Sequence, residues 1–155
     1  MSGEQERIYL EFAPDPLKDA AVLMVDTGLR VGEVLVLEWR VVALSAAPGA
    51  PHGFLCIRRG KMVNARRFIP LTSRVRSMLE TCQTESKAIF VFTDESGAAP
   101  LSRFMLRDQH VKIRRAMKLP ADAVIHSLRH TALTRLGEAG ADAFSIMKLA
   151  GHSTR

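Results

Sequence analysis

Cysteine is scarce, and the little there is does not pair: Cys56 and Cys82 are the only two, and they form no Cys-x-x-Cys spacing. That argues against a disulfide-stapled scaffold and a thiolate zinc site, and both thiols read as buried packing groups in apolar company. Without paired Cys and His ligands no structural metal is expected, and no cofactor is implied. Long apolar runs are also missing. None approaches the roughly 20 residues that span a bilayer, and no signal peptide opens the chain, so a soluble, cytoplasmic protein is expected. Internal repeats, low-complexity tracts and linker-like stretches are absent as well. The 155 residues therefore read as one domain, long enough to bury a core.

Basic residues outnumber acidic ones, 22 to 16, giving a formal charge of +6 and a pI near 9.9. This balance favours a polyanionic partner. The charge is grouped. Arg58, Arg59, Lys61, Arg66, Arg67, Arg74 and Arg76 fall in one short stretch, and Arg107, His110, Lys112, Arg114 and Arg115 in another. Each group alone fits a solvated face as well as a binding surface.

Local signals sketch an α+β domain, mostly helical, with one small antiparallel sheet. Asp15-Pro16 is an N-cap and first-turn signal for a helix to about Asp26, stopped by Gly28. Its residues are apolar almost all round, which predicts a central position. A second helix is expected over residues 30–39, and a Gly/Pro-bearing loop over 45–51. Residues 53–59 and 66–70 read as two strands around a turn at 60–65. Thr72 is placed to cap a helix carrying Val75, Met78, Leu79 and Cys82 on one face. Residues 89–93 suggest a short strand and 94–100 a loop. Ser102 starts a basic helix to about Met117. Two helices follow, over 127–138 and 142–150, with Gly140 ending the first and Asp142 capping the second.

Four groups of residues bear chemistry. In His126-Ser127-Leu128-Arg129-His130, helical spacing puts His126 beside Arg129 and His130. Imidazole next to guanidinium suits a phosphate oxyanion, because Arg offers a planar fork of donors and His moves protons near neutral pH. Capping and surface pairing are the plain alternative. In Asp26-Thr27-Gly28-Leu29-Arg30-Val31-Gly32-Glu33, the glycine break can aim Arg30 from a helix start, with Glu33 one turn on to orient it. A surface Arg–Glu pair would look the same. Lys61 lies in the turn between the presumed strands, where an ammonium reaches a phosphate or is simply solvated. His152, after Gly151, is a ligand-facing residue or a helix cap.

Together and in this order, these segments resemble the tyrosine recombinase (phage integrase) family, from about Pro14 to Arg155. DTGLRVGEVLVLEW resembles the family's first arginine box, and IRRGKMVNARRFIPLT its lysine-bearing hairpin. HSLRHTALTRLGEAGADAFSIMKLAGHSTR is similar to its second box. The resemblance implies a DNA breaking-rejoining catalytic domain that needs no metal. Arg30 and Arg129 would clamp the scissile phosphate, and Lys61 would protonate the leaving 5′-oxygen. His126 would assist proton transfer at the nucleophile and His152 would bond the phosphate. Glu33 would support the site, and His130 would pack beside it. Arg58, Arg59, Arg66, Arg67, Arg114 and Arg115 are the expected contacts to double-stranded DNA.

The family's nucleophile is a tyrosine beyond the Gly-His pair. The sequence runs three residues past His152, and its single tyrosine, Tyr9, matches no catalytic motif. The resemblance thus implies a partial catalytic domain, without the tyrosine segment or the N-terminal DNA-clamping domain. Such a fragment is expected to be inactive alone and monomeric in solution, although the family acts as a tetramer on DNA. Rival readings are a non-catalytic DNA-binding module, a type IB topoisomerase-like enzyme and a metal-independent phosphatase using His-x-x-Arg.

Overall fold

A computed structural model describes residues 1–58, 66–85 and 87–151. The order of elements is α1 (Gly3–Phe12), α2 (Leu17–Thr27), α3 (Val31–Leu35), a single 3-10 turn (Trp39–Val41), β1 (Val42–Ala43), β2 (Phe54–Arg58), β3 (Arg66–Pro70), α4 (Ser73–Glu85), α5 (Arg103–Ala116), α6 (His126–Glu138) and α7 (Ala143–Ala150). The α+β class and the small antiparallel sheet read from the sequence are both present.

The most apolar helix is the central one. Leu17, Ala20, Ala21, Leu23 and Met24 of α2 are wholly buried, and α1, α3, α4, α5 and α6 all pack on α2. Truncating one of the large residues to Ala would cost about 2–5 kcal/mol. Asp15 does not cap this helix. Its first turn starts at Leu17 with no side-chain cap, because the carbonyls of Pro14 and Pro16 already take the amides of Lys18 and Ala20. Gly28 ends α2 as expected, in the left-handed region at φ 67°, with its amide on the carbonyl of Met24.

The sheet runs β1-β2-β3, antiparallel throughout. Leu55 faces Ile69 across the β2–β3 pair, and both point into the core. On the other face Phe54 and Phe68 meet edge-on, with ring centroids 5.5 Å apart. Side chains along β3 alternate strictly between exposed and buried, so Arg66 points out and Arg67 points in with Ile69.

Some expectations need correcting. The helix expected over 30–39 stops at Leu35. There the chain extends so that Leu37 can bury and accept the Val91 amide, while the Trp39 amide donates to the Ile89 carbonyl. The strand expected over 89–93 makes only isolated bridges, Glu38 to Phe90 and Thr93 to Pro100. Cys56 and Cys82 are free and only half-buried. Burial, then the Asp19 carboxylate beside it, pushes the Cys82 thiol up to about 12. Helix α1, unassigned in the sequence reading, begins with a reciprocal cap between Ser2 and Gln5.

Two polar links hold α1 in place. Glu6 receives Arg74 from α4 and Arg135 from α6. Tyr9 is fully buried and bonds Nδ1 of His110 at 2.7 Å, while His110 Nε2 lies 2.8 Å from the carbonyl of Ala123. A carbonyl can only accept, so Nε2 carries the proton and the Tyr9 hydroxyl donates to Nδ1. Among the described residues no helix is long and apolar enough to cross a membrane.

Candidate active site

The site is built where two helices end. Gly28 turns the chain at the end of α2 and delivers Arg30 to the N-cap of α3 in extended conformation. One turn later the Glu33 carboxylate folds back. Its Oε2 accepts the Arg30 amide at 2.8 Å, and its Oε1 lies 3.4 Å from Arg30 Nη1. This local return is why the Arg-x-x-Glu spacing works: the carboxylate satisfies a free first-turn N–H and steers the arginine that precedes it.

Arg129 sits on the buried face of α6, only 2% exposed. Its Nη1 donates to the carbonyl of Gly28, and its Nη2 to that of Ala150 at 2.7 Å. The end of α7 collects further donors. Arg30 Nη2 reaches the Gly151 carbonyl at 3.3 Å, and Arg67 Nη1 reaches Ala150 at 3.4 Å. Carbonyls at helix C-termini carry partial negative charge, and these accept from all three arginines. Gly151 is itself left-handed, at φ 67°; a Cβ there would collide with Arg67 Nη1 and come within 3.4 Å of Arg30 Nη1.

Two guanidinium groups, Arg30 and Arg67, thus pair with one carboxylate, Glu33, whose charge also acts on Arg129. The cluster carries excess positive charge in a partly desolvated setting, which suits an oxyanion. Burial, then the charge of Arg30, lowers the Arg129 pKa, but a guanidinium remains protonated. His126 packs edge-on against His130, ring centroids 4.9 Å apart. Its pKa is lowered first by burial and then by the charges of His130, Arg129 and Arg30. At neutral pH its ring is therefore mostly uncharged and able to take a proton.

Among the residues expected from the sequence, the structure brings together Arg30, Glu33, Arg129 and His126, with His130 exposed beside them. Lys61, Arg59 and His152 lie outside the described residues. Arg58 pairs with Arg66 across the sheet, and Arg66 and Arg115 are exposed. Arg114 is half-buried and donates to the Pro120 carbonyl at 3.2 Å. Arg67 departs from the surface role expected of it. It is 4% exposed and pairs with Glu33 at 2.7 Å, because the strand's alternation turns it inward. The sequence reading also passed over Arg103. It lines a groove of about 450 Å³ with Arg107, His110, Arg114 and Ile125. Positions 103, 107, 110 and 114 share one helical stripe, a pattern visible in the sequence. Among the described residues, no cluster of three or more His, Cys, Asp or Glu could hold a metal ion.

The profile of the phage integrase family matches residues 4–155. The tyrosine recombinase XerC of Bradyrhizobium diazoefficiens is 31% identical over 143 residues, covering 88% of this chain and 43% of that protein. The chain therefore spans less than half the length of this relative. Among solved structures, the Tn1549 transposon integrase in complex with circular intermediate DNA superposes with a TM-score of 0.80 at 21% identity, covering 99% of this chain and 59% of the other. The XerH site-specific recombinase bound to difH substrate gives 0.79 at 21% identity, covering 99% and 47%.

Proposed function

Because the chain belongs to the phage integrase family, we propose that it is a catalytic segment of a site-specific DNA recombinase. It would serve DNA integration, excision or resolution by cutting and rejoining strands without a metal. The observation that carries this reading is the meeting of Arg30 and Arg129, from distant parts of the sequence, at the carbonyl ends of α2 and α7.

The chemistry follows from these groups. A tyrosyl oxygen attacks the scissile phosphorus, the P–O5′ bond breaks, and a 3′-phosphotyrosyl link keeps the strand ready for rejoining. Arg30 and Arg129 stabilise the charge that builds on the non-bridging oxygens, where a preorganised donor is worth most. Neutral His126 takes the proton of the attacking hydroxyl, and Lys61 gives one to the departing 5′-oxygen. His152 donates to the phosphate. Glu33 aligns Arg30, and His130 supports the His126 ring. Tyr9, sealed in the core against His110, has no access to substrate and is not the nucleophile. Double-stranded DNA is the partner, contacted by Arg58, Arg59, Arg66 and Arg115 and by the arginine stripe of α5.

The test uses the full-length protein and a nicked duplex that traps the covalent intermediate. An adduct that forms in excess chelator is the expected result. Loss of the adduct on chelation, or its persistence in an Arg30→Ala variant, would overturn the reading.

A further inference from the structure

Arg67 is a charge in the core with few reasons to be there. A buried guanidinium is costly unless it is paired. Its Nη2 donates to Glu33 Oε2 at 2.7 Å and its Nη1 to the Ala150 carbonyl at 3.4 Å, while Nε has no partner among the described residues. Its only side-chain partner among the described residues is Glu33, the carboxylate that also governs Arg30.

Glu33 has two arginine neighbours and divides itself unequally between them. Oε2 is engaged by Arg67 and by the Arg30 backbone amide, leaving the Arg30 side chain only Oε1, at 3.4 Å. An unrestrained carboxylate beside an arginine closes on it with both oxygens, the preferred fork-to-fork geometry. Here that closure would occupy the donors a phosphate needs. The packing supports a dedicated seat for Arg67, since any side chain begun at Gly151 would collide with its Nη1.

We propose that Arg67 is a positioning residue that restrains the Glu33 carboxylate and so keeps the half-exposed fork of Arg30 open for a phosphate oxyanion. The proposal rests on the recombinase reading for the identity of the phosphate, but its mechanics concern the unliganded protein.

The test is therefore made without DNA, by the rate at which an arginine-selective dicarbonyl reagent modifies Arg30, followed by peptide mass spectrometry. Arg67→Met should slow modification of Arg30 about tenfold, the scale of one charge-assisted hydrogen bond. Adding Glu33→Gln to that variant should return the rate toward wild type, because an amide does not close on Arg30 as a carboxylate does. Arg67→Lys, which leaves a cation on Glu33, should keep Arg30 reactive. A merely structural Arg67 gives the opposite pattern: its loss loosens the site, Arg30 reacts as fast or faster, and Glu33→Gln restores nothing. If Arg67→Met alone fails to fold, the double variant decides, since replacing both partners removes the stranded charge; a folded double variant with Arg30 protected overturns the proposal. Failure of the recombinase reading would appear separately, as a wild-type full-length protein that forms no DNA adduct.

Discussion

Arg129 staples the end of one helix to the end of another: its guanidinium bridges the carbonyl of Gly28, which closes α2, and that of Ala150, which closes α7. Arg30, expected to play a similar part toward phosphate, keeps a side chain 39% exposed. The two arginines should therefore separate in thermal melts, although the proposed mechanism uses both. Arg129→Ala leaves the buried Gly28 carbonyl without its side-chain donor, at about 1–3 kcal/mol, and leaves Ala150 only the longer bond from Arg67, so it should lower the melting temperature by several degrees. Arg30→Ala should leave it nearly unchanged. In the full-length protein either change should slow cleavage by about 10²-fold or more. Equal melting temperatures for the two variants would contradict this division.

The buried His110 gives stability a defined pH dependence. Burial holds its pKa below the ordinary 6.5, the hydrogen bond to Ala123 opposes this, and the charge of Arg114 adds to it. The folded state thus binds fewer protons at this site than the unfolded state. Its contribution is complete above about pH 6.5 and is lost as pH falls from there through the lowered folded value. His126 acts with the same sign. Denaturant titrations between about pH 7 and 5 should show falling stability, and His110→Gln should flatten that fall. Stability that rises toward pH 5 would contradict this sign.

Replacing the bridging 5′-oxygen by sulfur separates the roles of Lys61 and His126. A thiolate leaves without needing a proton, so the general acid becomes dispensable. In the full-length protein Lys61→Ala should cut the ordinary substrate poorly and the sulfur-bridged one nearly as well as wild type. His126→Ala should not be rescued, because its partner is the attacking hydroxyl. The reverse pattern would exchange the two assignments.

The arginine stripe of α5 predicts salt-dependent duplex binding. Non-specific affinity should fall in the roughly 10⁻⁴–10⁻⁶ M range and weaken steeply with salt. Arg103→Ala and Arg107→Ala should each weaken binding about equally across sequences and reduce the salt slope by about 1. Fluorescence anisotropy over a salt series checks this. An unchanged slope would move the DNA path away from this groove.

Much of this was legible in the sequence because the signals were local. The Gly28 stop, the Thr72, Ser102 and Asp142 caps and the apolar circumference of α2 each depend on residues within a few positions. Arg30, Glu33, Arg129 and His126 were identifiable by spacing and resemblance. Arg67 was misjudged because the run Arg66-Arg67 reads as surface charge, whereas β3 places its even and odd positions on opposite faces. The period was available, since Phe68 and Ile69 follow it; what overrode it was the rarity of a buried arginine. Two features depend on distant partners. The end of α3 follows from pairing with residues 89–91, and the convergence on Ala150 requires α7 to fold back.

That convergence has a consequence for how the protein matures. Arg30 finds its acceptor at Gly151, a partner 121 positions later. A nascent chain emerging from the ribosome thus holds Arg30, Arg67 and Arg129 without their acceptors at Ala150 and Gly151 until α7 has been synthesised and docked. Contacts of such sequence separation form slowly, after local helices are in place. The arginine cluster is therefore completed at the end of folding rather than inherited from an early nucleus, and a chain arrested before α7 would own all three arginines without the carbonyls that gather them.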